Sequence, residues 1–441
     1  MLLEDCIIAF PVSSFVISIY QQYQRRGWLG KKQLQELYDK ASKISGVPPG
    51  RLAALESIIK KMPTRERSEL PENKPMIVKN EELCIENCLK SICGIVNEIV
   101  IVDTGSTDKT KEICHNFNAD VYDYAWNGSF SDARNFGIEK AKGDWILWLD
   151  ADEQLVLNGA KSLLDQSNAE VSDILLVQHI NYLGSYPLDE SKVYTFYSNR
   201  LFRNHIGIRF TGKIHEGLDI KSVQKPLITE TAAAVKILHY GYMEEFVDCK
   251  NKSERNLRIL ESEKQTSDYN PWIDYHISSE FYRLKEYEKA LEQVNISIKR
   301  FLEKGVIPPS LLYKLKYDIL LIGGYTESAR LGIEKAIQLY SDYVDLYFYK
   351  GLILLQKKDY NSAILAFEHC LALGEDNMKY MILKGVGSFQ ALYYIGICCE
   401  ALKDYEKAGN AYNQALILCP YHNDAQNRLA KLKKHYFNSG L

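Results

Sequence analysis

At 441 residues the chain is long enough for two or three domains with buried cores. Its 54 Lys and Arg nearly balance 57 Asp and Glu and are interspersed with them, which excludes the basic patch of a nucleic-acid binder. Ten cysteines without a CxxC pair exclude zinc-ligand spacing, and a chain of this length needs no disulfide framework, so reduced thiols in a cytoplasmic protein are expected.

Residues 1–70 read as a helical segment without visible chemistry. Residues 6–20 are apolar, but the run is short, follows Glu4 and Asp5 and contains Pro11, so neither a signal peptide nor a membrane span is expected. Amphipathic stretches follow at 13–25, 31–44 and 51–61, broken by Gly27, Gly30 and Pro48-Pro49-Gly50 and closed by a linker with Pro63, Pro71 and Pro75. From 71 to 248, short β-branched runs alternate with helical patterns: a strand at 76–78 compressed behind Pro75, a helix from Glu81, a strand at 99–102, a helix after Ser106, and strands at 120–124, 145–149 and 174–178 around a helix from Phe130. This βαβ syntax predicts an α/β, Rossmann-like and mostly parallel sheet with ligands at its strand ends. From 249 to 441 helical periodicity takes over. Gly396, Ala408, Tyr412, Ala415 and Pro420 match the positions of a tetratricopeptide repeat (TPR), and Gly351, Ala363 and Phe367 repeat part of it. Ala329 lies one 34-residue period before Ala363, Ala336 follows it, and Ala290 suggests a degenerate first copy. About four repeats would stack into an all-α solenoid, with a plain helical bundle as the alternative.

The run Trp145-Ile-Leu-Trp-Leu-Asp150-Ala-Asp152-Glu153 ends a buried strand in an acid-x-acid pair. Carboxylates at such an end are costly without a cation, so the pair reads as a site for Mg²⁺ or Mn²⁺ on a diphosphate, with turn or cap residues as the alternative. Asp103 ends a second strand at a glycine turn, where it can accept the imide N–H of uracil and Ser106 can reach ribose or phosphate, unless Ser106 or Thr107 merely caps the next helix. Arg134 and Asn135 fall in the first turns of a helix; Arg134 either pairs with a phosphate or lies solvated beside Asp132.

In this order the segments resemble the family 2 glycosyltransferases of the GT-A fold, on Val78-Lys-Asn80-Glu-Glu82, Val102-Asp-Thr-Gly-Ser-Thr-Asp108, Ala133-Arg-Asn135 and Asp150-Ala-Asp152. The likeness covers roughly residues 75–245. It implies a nucleotide-sugar site built from Val78, Asn80, Glu82, Asp103, Ser106, Arg134, Asn135, Asp150, Ala151 and Arg200, with inversion at the anomeric carbon. By that likeness Asp103 holds the base, Asp150 the ribose or diphosphate, and Asp152 the metal ion. Two later clusters extend it. In Gly212-Lys-Ile-His215-Glu216-Gly217, Glu216 stands where the family puts its catalytic carboxylate, with His215 beside it. In Leu238-His239-Tyr-Gly-Tyr242, His239 resembles a late histidine that completes the metal site, although either histidine would also serve as a hydrogen-bonded structural residue. Arg200 and Arg203 would offset diphosphate charge or sit on the sheet edge.

Solenoid repeats bind extended chains, so repeats behind a sugar transferase suggest a peptide acceptor. The whole arrangement resembles the sublancin-type peptide S-glycosyltransferases. That likeness implies a homodimer moving a hexose, glucose first, from a UDP-sugar to a Cys or Ser of a bacteriocin precursor. A thiol, with an ordinary pKa of about 8.5, asks less of Glu216 or His215 than a hydroxyl does. The alternatives are transfer to a surface glycan or lipid-linked saccharide, and a repeat scaffold without catalysis.

Overall fold

Two helices, α1 (Lys31–Ala41) and α2 (Pro49–Lys61), pack together through Leu37, Ala41, Leu55 and Ile59 before the sheet begins. The structure is a computed structural model that describes residues 31–44, 47, 49–61, 72–157, 172–185, 188–189, 192–223, 226–241, 243, 249–264 and 268–434. The helix expected at 13–25 and the linker at 62–71 lie outside these residues.

The expected βαβ units form. Strands β1 (Glu72–Val78), β2 (Glu98–Asp103), β3 (Asp120–Asp123) and β4 (Trp145–Leu147) lie parallel in the order β3-β2-β1-β4, with helices α3 (Ile85–Ile92), α4 (Thr110–Asn116) and α5 (Phe130–Lys140) between them. Alternate residues face opposite cores. Met76, Val78, Ile101 and Leu147 meet Cys88, Leu89 and Ile92 of α3, whereas Val100 and Ile146 meet Ile138 of α5. The first strand differs from expectation: it begins at Glu72 and runs through Pro75. The ladder to β4 ends at Asn73, so the proline, which has no N–H to donate, falls beyond it while pairing to β2 continues to Val78. Strand β4 also stops at Leu147, two residues early, although the Trp148 N–H still donates to the Arg200 carbonyl at 2.8 Å, the next position of the β4–β7 register.

Beyond β4 the pairing becomes mixed. The strands β5 (Glu153–Leu157), β6 (Ile174–Tyr182), β7 (Val193–Arg203) and β10 (Thr229–His239) extend the sheet as β4-β7-β6-β10-β5, and β8 (Arg209–Thr211) pairs with β9 (Gly217–Asp219) as a separate ribbon. Strand β7 is antiparallel to both neighbours, and β10 is parallel to β6.

Helix α6 (Cys249–Glu263) leads into four helix hairpins: α7 (Trp272–Arg283) with α8 (Tyr287–Glu303), α9 (Ser310–Ile322) with α10 (Thr326–Leu339), α11 (Val344–Gln356) with α12 (Tyr360–Leu373), and, beyond a short strand β11 (Ile382–Leu383), α13 (Phe389–Ala401) with α14 (Tyr405–Leu418). Helix α15 (Asn423–Leu432) follows. The repeat positions read from the sequence are buried where hairpin partners meet, as with Ala290, Ala329, Ala363, Phe367, Ala408 and Tyr412. Before the last hairpin the insertion carrying β11 adds a short strand to the sheet, pairing Ile382 with Thr195 and Leu383 with Tyr194 of β7. Lys314 of α9 is buried beside it, bonded to Asp345 at 2.7 Å and to the Tyr349 hydroxyl at 3.0 Å, with its ammonium 4.4 Å from the Tyr194 ring. The repeats are thus docked on the sheet through both backbone and side chains.

Gly396 lets α13 and α14 approach closely: a Cβ there would stand 2.3 Å from the Tyr412 ring. Gly396→Ala is expected to destabilise the helical region by about 1–3 kcal/mol through overpacking, seen as a lower calorimetric midpoint; an unchanged midpoint would contradict this packing.

Candidate active site

The site forms where the carboxyl ends of β1, β2 and β4 meet the middle of β7. The loops after β1 and β2 are stitched together before any ligand arrives. The Asn80 N–H donates to Ser106 Oγ at 3.0 Å, the Thr107 N–H donates to Asn80 Oδ1 at 2.8 Å, the Glu82 N–H reaches Asp108 at 3.1 Å, and the Lys109 N–H returns to Glu82 at 3.1 Å. The Val78 carbonyl accepts from the Thr104 N–H at 3.0 Å. Asn80 adopts the left-handed region, φ +56°, which asparagine tolerates. The alternative of a capped helix start fails: α4 begins at Thr110, behind Lys109, with no side-chain cap. Asp103 departs from the role of an open base-binding acid. Its side chain is fully buried and accepts the N–H groups of Gly105 at 3.3 Å and Ser106 at 3.0 Å, with Lys111 at 3.3 Å. Burial pushes its pKa up, but the Ser106 bonds and Lys111 outweigh it and hold the carboxyl below its ordinary value. Asp103 thus fixes the turn.

The segment after β4 alternates. Leu149 and Ala151 are buried in the core, leaving Asp150 and Asp152 half-buried on the ligand side. Asp150 is bound by Arg134 at 2.9 Å and faced by Arg200 at 3.6 Å, and the two guanidinium groups lie 4.0 and 4.2 Å from the Trp148 ring. Burial would raise the Asp150 pKa, but the two arginines hold it far below the usual carboxylate range. Arg134 also donates through Nε to Glu216 and is almost completely buried, so it is no solvated helix residue. Its Nη1, like that of Arg200, is buried without a hydrogen-bond partner. Two cationic donors therefore face the strand end with capacity for an anion. Arg203 instead turns to the Ser172 carbonyl at 2.9 Å and stacks on Trp145.

Asp152 faces His239, Oδ2 to Nε2 at 3.5 Å, and the Asn181 Oδ1 holds His239 Nδ1 at 2.9 Å. Burial disfavours charge on His239, yet the carboxylates of Asp152, Glu153 and Asp150 raise its pKa overall. With Nδ1 directed at an oxygen acceptor, Nε2 is the nitrogen available to a metal ion, which would replace the proton that Asp152 draws there. Gly241 keeps this pair open, since a Cβ would stand 2.1 Å from Asp152 Oδ2 and 2.7 Å from His239 Nε2. Among the described residues no group of three His, Cys, Asp or Glu side chains is arranged to hold a metal ion. Asp152 and His239 would offer a divalent cation one carboxylate and one imidazole, leaving its other positions to the phosphates of a substrate. Tyr242 lies outside the described residues.

Glu216 and His215 sit on the loop between β8 and β9. Glu216 comes to the site through Arg134, whereas His215 turns away and stacks on His276 of α7 with centroids 3.9 Å apart. Burial and Arg283 lower the His215 pKa, so it is neutral. Asn135 does not join the site. Its side chain satisfies both peptide groups of Phe210, accepting from the N–H at 2.8 Å and donating to the carbonyl at 2.9 Å, and so braces β8 against α5. Two residues went unread in the sequence. Trp148 is the aromatic ring that both arginines approach, hidden inside an apolar strand pattern. Glu153 is fully buried, holds Arg200 at 2.8 Å and accepts the Asp150 N–H at 2.8 Å. Burial raises its pKa against the pull of Arg200. Its position directly after the acid-x-acid pair was the available signal.

Residues 76–216 match the glycosyl transferase family 2 model, and residues 389–422 match a tetratricopeptide repeat. Residues 76–216 thus carry a family 2 glycosyltransferase domain whose first four strands are parallel, and a helical TPR region follows. Among curated proteins it is similar to a TPR repeat-containing protein of Synechococcus elongatus, 32% identical over 260 residues that make up 56% of this chain and 60% of that one. It is also similar to the SPbeta prophage-derived glycosyltransferase SunS of Bacillus subtilis, 29% identical over 230 residues, 51% of this chain and 53% of that one. The glycosyltransferase GlyG of Streptococcus pneumoniae is 33% identical over 104 residues, 22% of this chain and 34% of its own. In each case the match spans less than two thirds of the relative's length. Among the described residues no helix is long and apolar enough to cross a membrane.

Removing Glu153 strands the buried Arg200 beside Asp150. Glu153→Ala is expected to cost about 3–5 kcal/mol, read as a lower urea midpoint by tryptophan fluorescence; a midpoint equal to the parent's would remove Glu153 as the arginine's anchor.

Proposed function

We propose that the protein is an inverting glycosyltransferase that moves a hexose, glucose first, from a UDP-sugar to a Cys or Ser side chain of a peptide. The observation that carries this reading is the convergence on one strand end of the Asp152–His239 pair, the two arginines around Trp148 and the carboxylate of Glu216. The loops of Asn80, Glu82 and Ser106 border the nucleotide end, with Asp103 fixing their shape. Arg134 and Arg200 would receive the diphosphate, and Asp150 holds both in place. Mg²⁺ or Mn²⁺ at Asp152 and His239 would offset charge on the departing diphosphate.

In the reaction the acceptor sulfur or oxygen attacks the anomeric carbon from the face opposite the leaving group, and its bond forms as the bond to the UDP oxygen breaks. Glu216 takes the acceptor proton. Arg134 holds Glu216 until then, and an incoming diphosphate gives that arginine a competing partner. The TPR region and the likeness to the sublancin-type enzymes support a peptide acceptor, the same likeness supports a homodimer, and cysteines without a CxxC pair support a cytoplasmic location.

The test is mass spectrometry of Cys- and Ser-containing peptides incubated with the protein, UDP-glucose and Mn²⁺ or Mg²⁺. A hexose increment that needs the metal is expected, and Asp152→Ala should lower the rate about 100-fold or more. UDP release without a peptide increment would overturn the acceptor class, and unchanged turnover in Asp152→Ala would remove the metal assignment.

A further inference from the structure

The loop that carries Glu216 hangs between the sheet and the helical region, and much of what holds it belongs to the helices. Ile214 is buried against Leu260 of α6 and Ile273 and Ile277 of α7. The Lys213 N–H donates to Glu263 of α6 at 3.1 Å. His215 occupies the left-handed region, φ +51°, a conformation that a non-glycine residue keeps only where its surroundings enforce it. Here the surroundings are two residues of α7. His276 lies flat against the His215 ring, with the planes 6° apart, and Glu280 faces its Nε2 at 3.8 Å. Glu280 is fully buried and also accepts from Ser253 at 2.7 Å and Asn256 at 2.9 Å, both on α6, and from Arg283 at 3.0 Å. One carboxylate thus locks α6 to α7 beside His215. Burial lowers the pKa of His276 as it does that of His215, so the stacked rings are neutral and do not repel.

We propose that His276 and Glu280 are positioning residues for the transfer reaction: they fix the backbone at His215 and thereby aim the adjacent Glu216. The proposal rests on the reading of Glu216 as the base. It makes the first helices of the helical region part of the transferase site, so a peptide bound along the repeats would share a rigid element with the residue that deprotonates it.

The experiment compares full-length His276→Ala, His276→Phe, Glu280→Gln and Glu216→Gln with the parent, following UDP release from UDP-glucose and Mn²⁺ in the presence of the Cys- and Ser-containing peptides, with the peptide-free rate subtracted. His276→Ala is expected to lower kcat about 10–100-fold while the KM for UDP-glucose stays within about two-fold, because the donor contacts are untouched. His276→Phe keeps a flat ring and should recover most of the rate. Glu280→Gln should show the same loss in kcat alone, and it carries the test should His276→Ala not fold. A parental kcat in His276→Ala or Glu280→Gln, or equal losses in His276→Ala and His276→Phe, overturns the proposal. A parental kcat in Glu216→Gln instead overturns the base assignment beneath it, so the two failures are distinguishable.

Discussion

Arg134 grips two carboxylates that arrive from different parts of the chain, and the site is organised around that grip. Asp150 comes from the end of β4, and Glu216 comes from a loop after β8. A guanidinium buried this deeply is tolerable only with both partners and the face of Trp148 beneath it. Arg200 also lies against the Trp148 ring, with Glu153 as its own buried anchor. The result is a preformed cationic wall at a strand end, next to an acid–imidazole pair suited to a divalent ion. Such preorganisation lets a diphosphate be met by fixed dipoles and charges rather than by groups that must first be assembled.

The second organising fact is that the helical region is built into the transferase domain. Its α6 and α7 hold the Glu216 loop, and its insertion before α13 adds β11 to the edge of β7 that β4 leaves open. The buried Lys314–Asp345 pair, reaching Tyr194, closes the same junction. A division of the chain at residue 248 follows the change in sequence periodicity, yet it cuts through the support of the Glu216 loop. The repeats, read from the sequence as a pointer to a peptide acceptor, thus also brace the site through their first hairpin.

How much of this was legible in the sequence follows from the range of the interactions. The acid-x-acid pair was readable because a buried strand ending in carboxylates is unusual at the level of a few residues. The repeat helices were readable because Ala363 with Phe367 and Ala408 with Tyr412 keep the same internal offset, and Ala329 precedes Ala363 by one 34-residue period. Asn135 and Asp103 read as nucleotide-sugar ligands, but their partners, the peptide groups of Phe210 and of Gly105 and Ser106, turn both inward as braces. Glu153 and Trp148 were passed over because a buried acid and a strand tryptophan look like pattern noise until both arginines are placed. Strand β11 is two residues long and is defined by a partner almost two hundred residues away, so no local pattern announces it.

In the proposed function the donor diphosphate and the metal ion meet at the end of β4. Anomalous diffraction from crystals of the protein with UDP and Mn²⁺ tests it most directly. The account expects one manganese peak within bonding distance of both Asp152 and His239, with the diphosphate against Arg134 or Arg200. A peak bound elsewhere, or UDP bound with manganese absent from that pair, would contradict it.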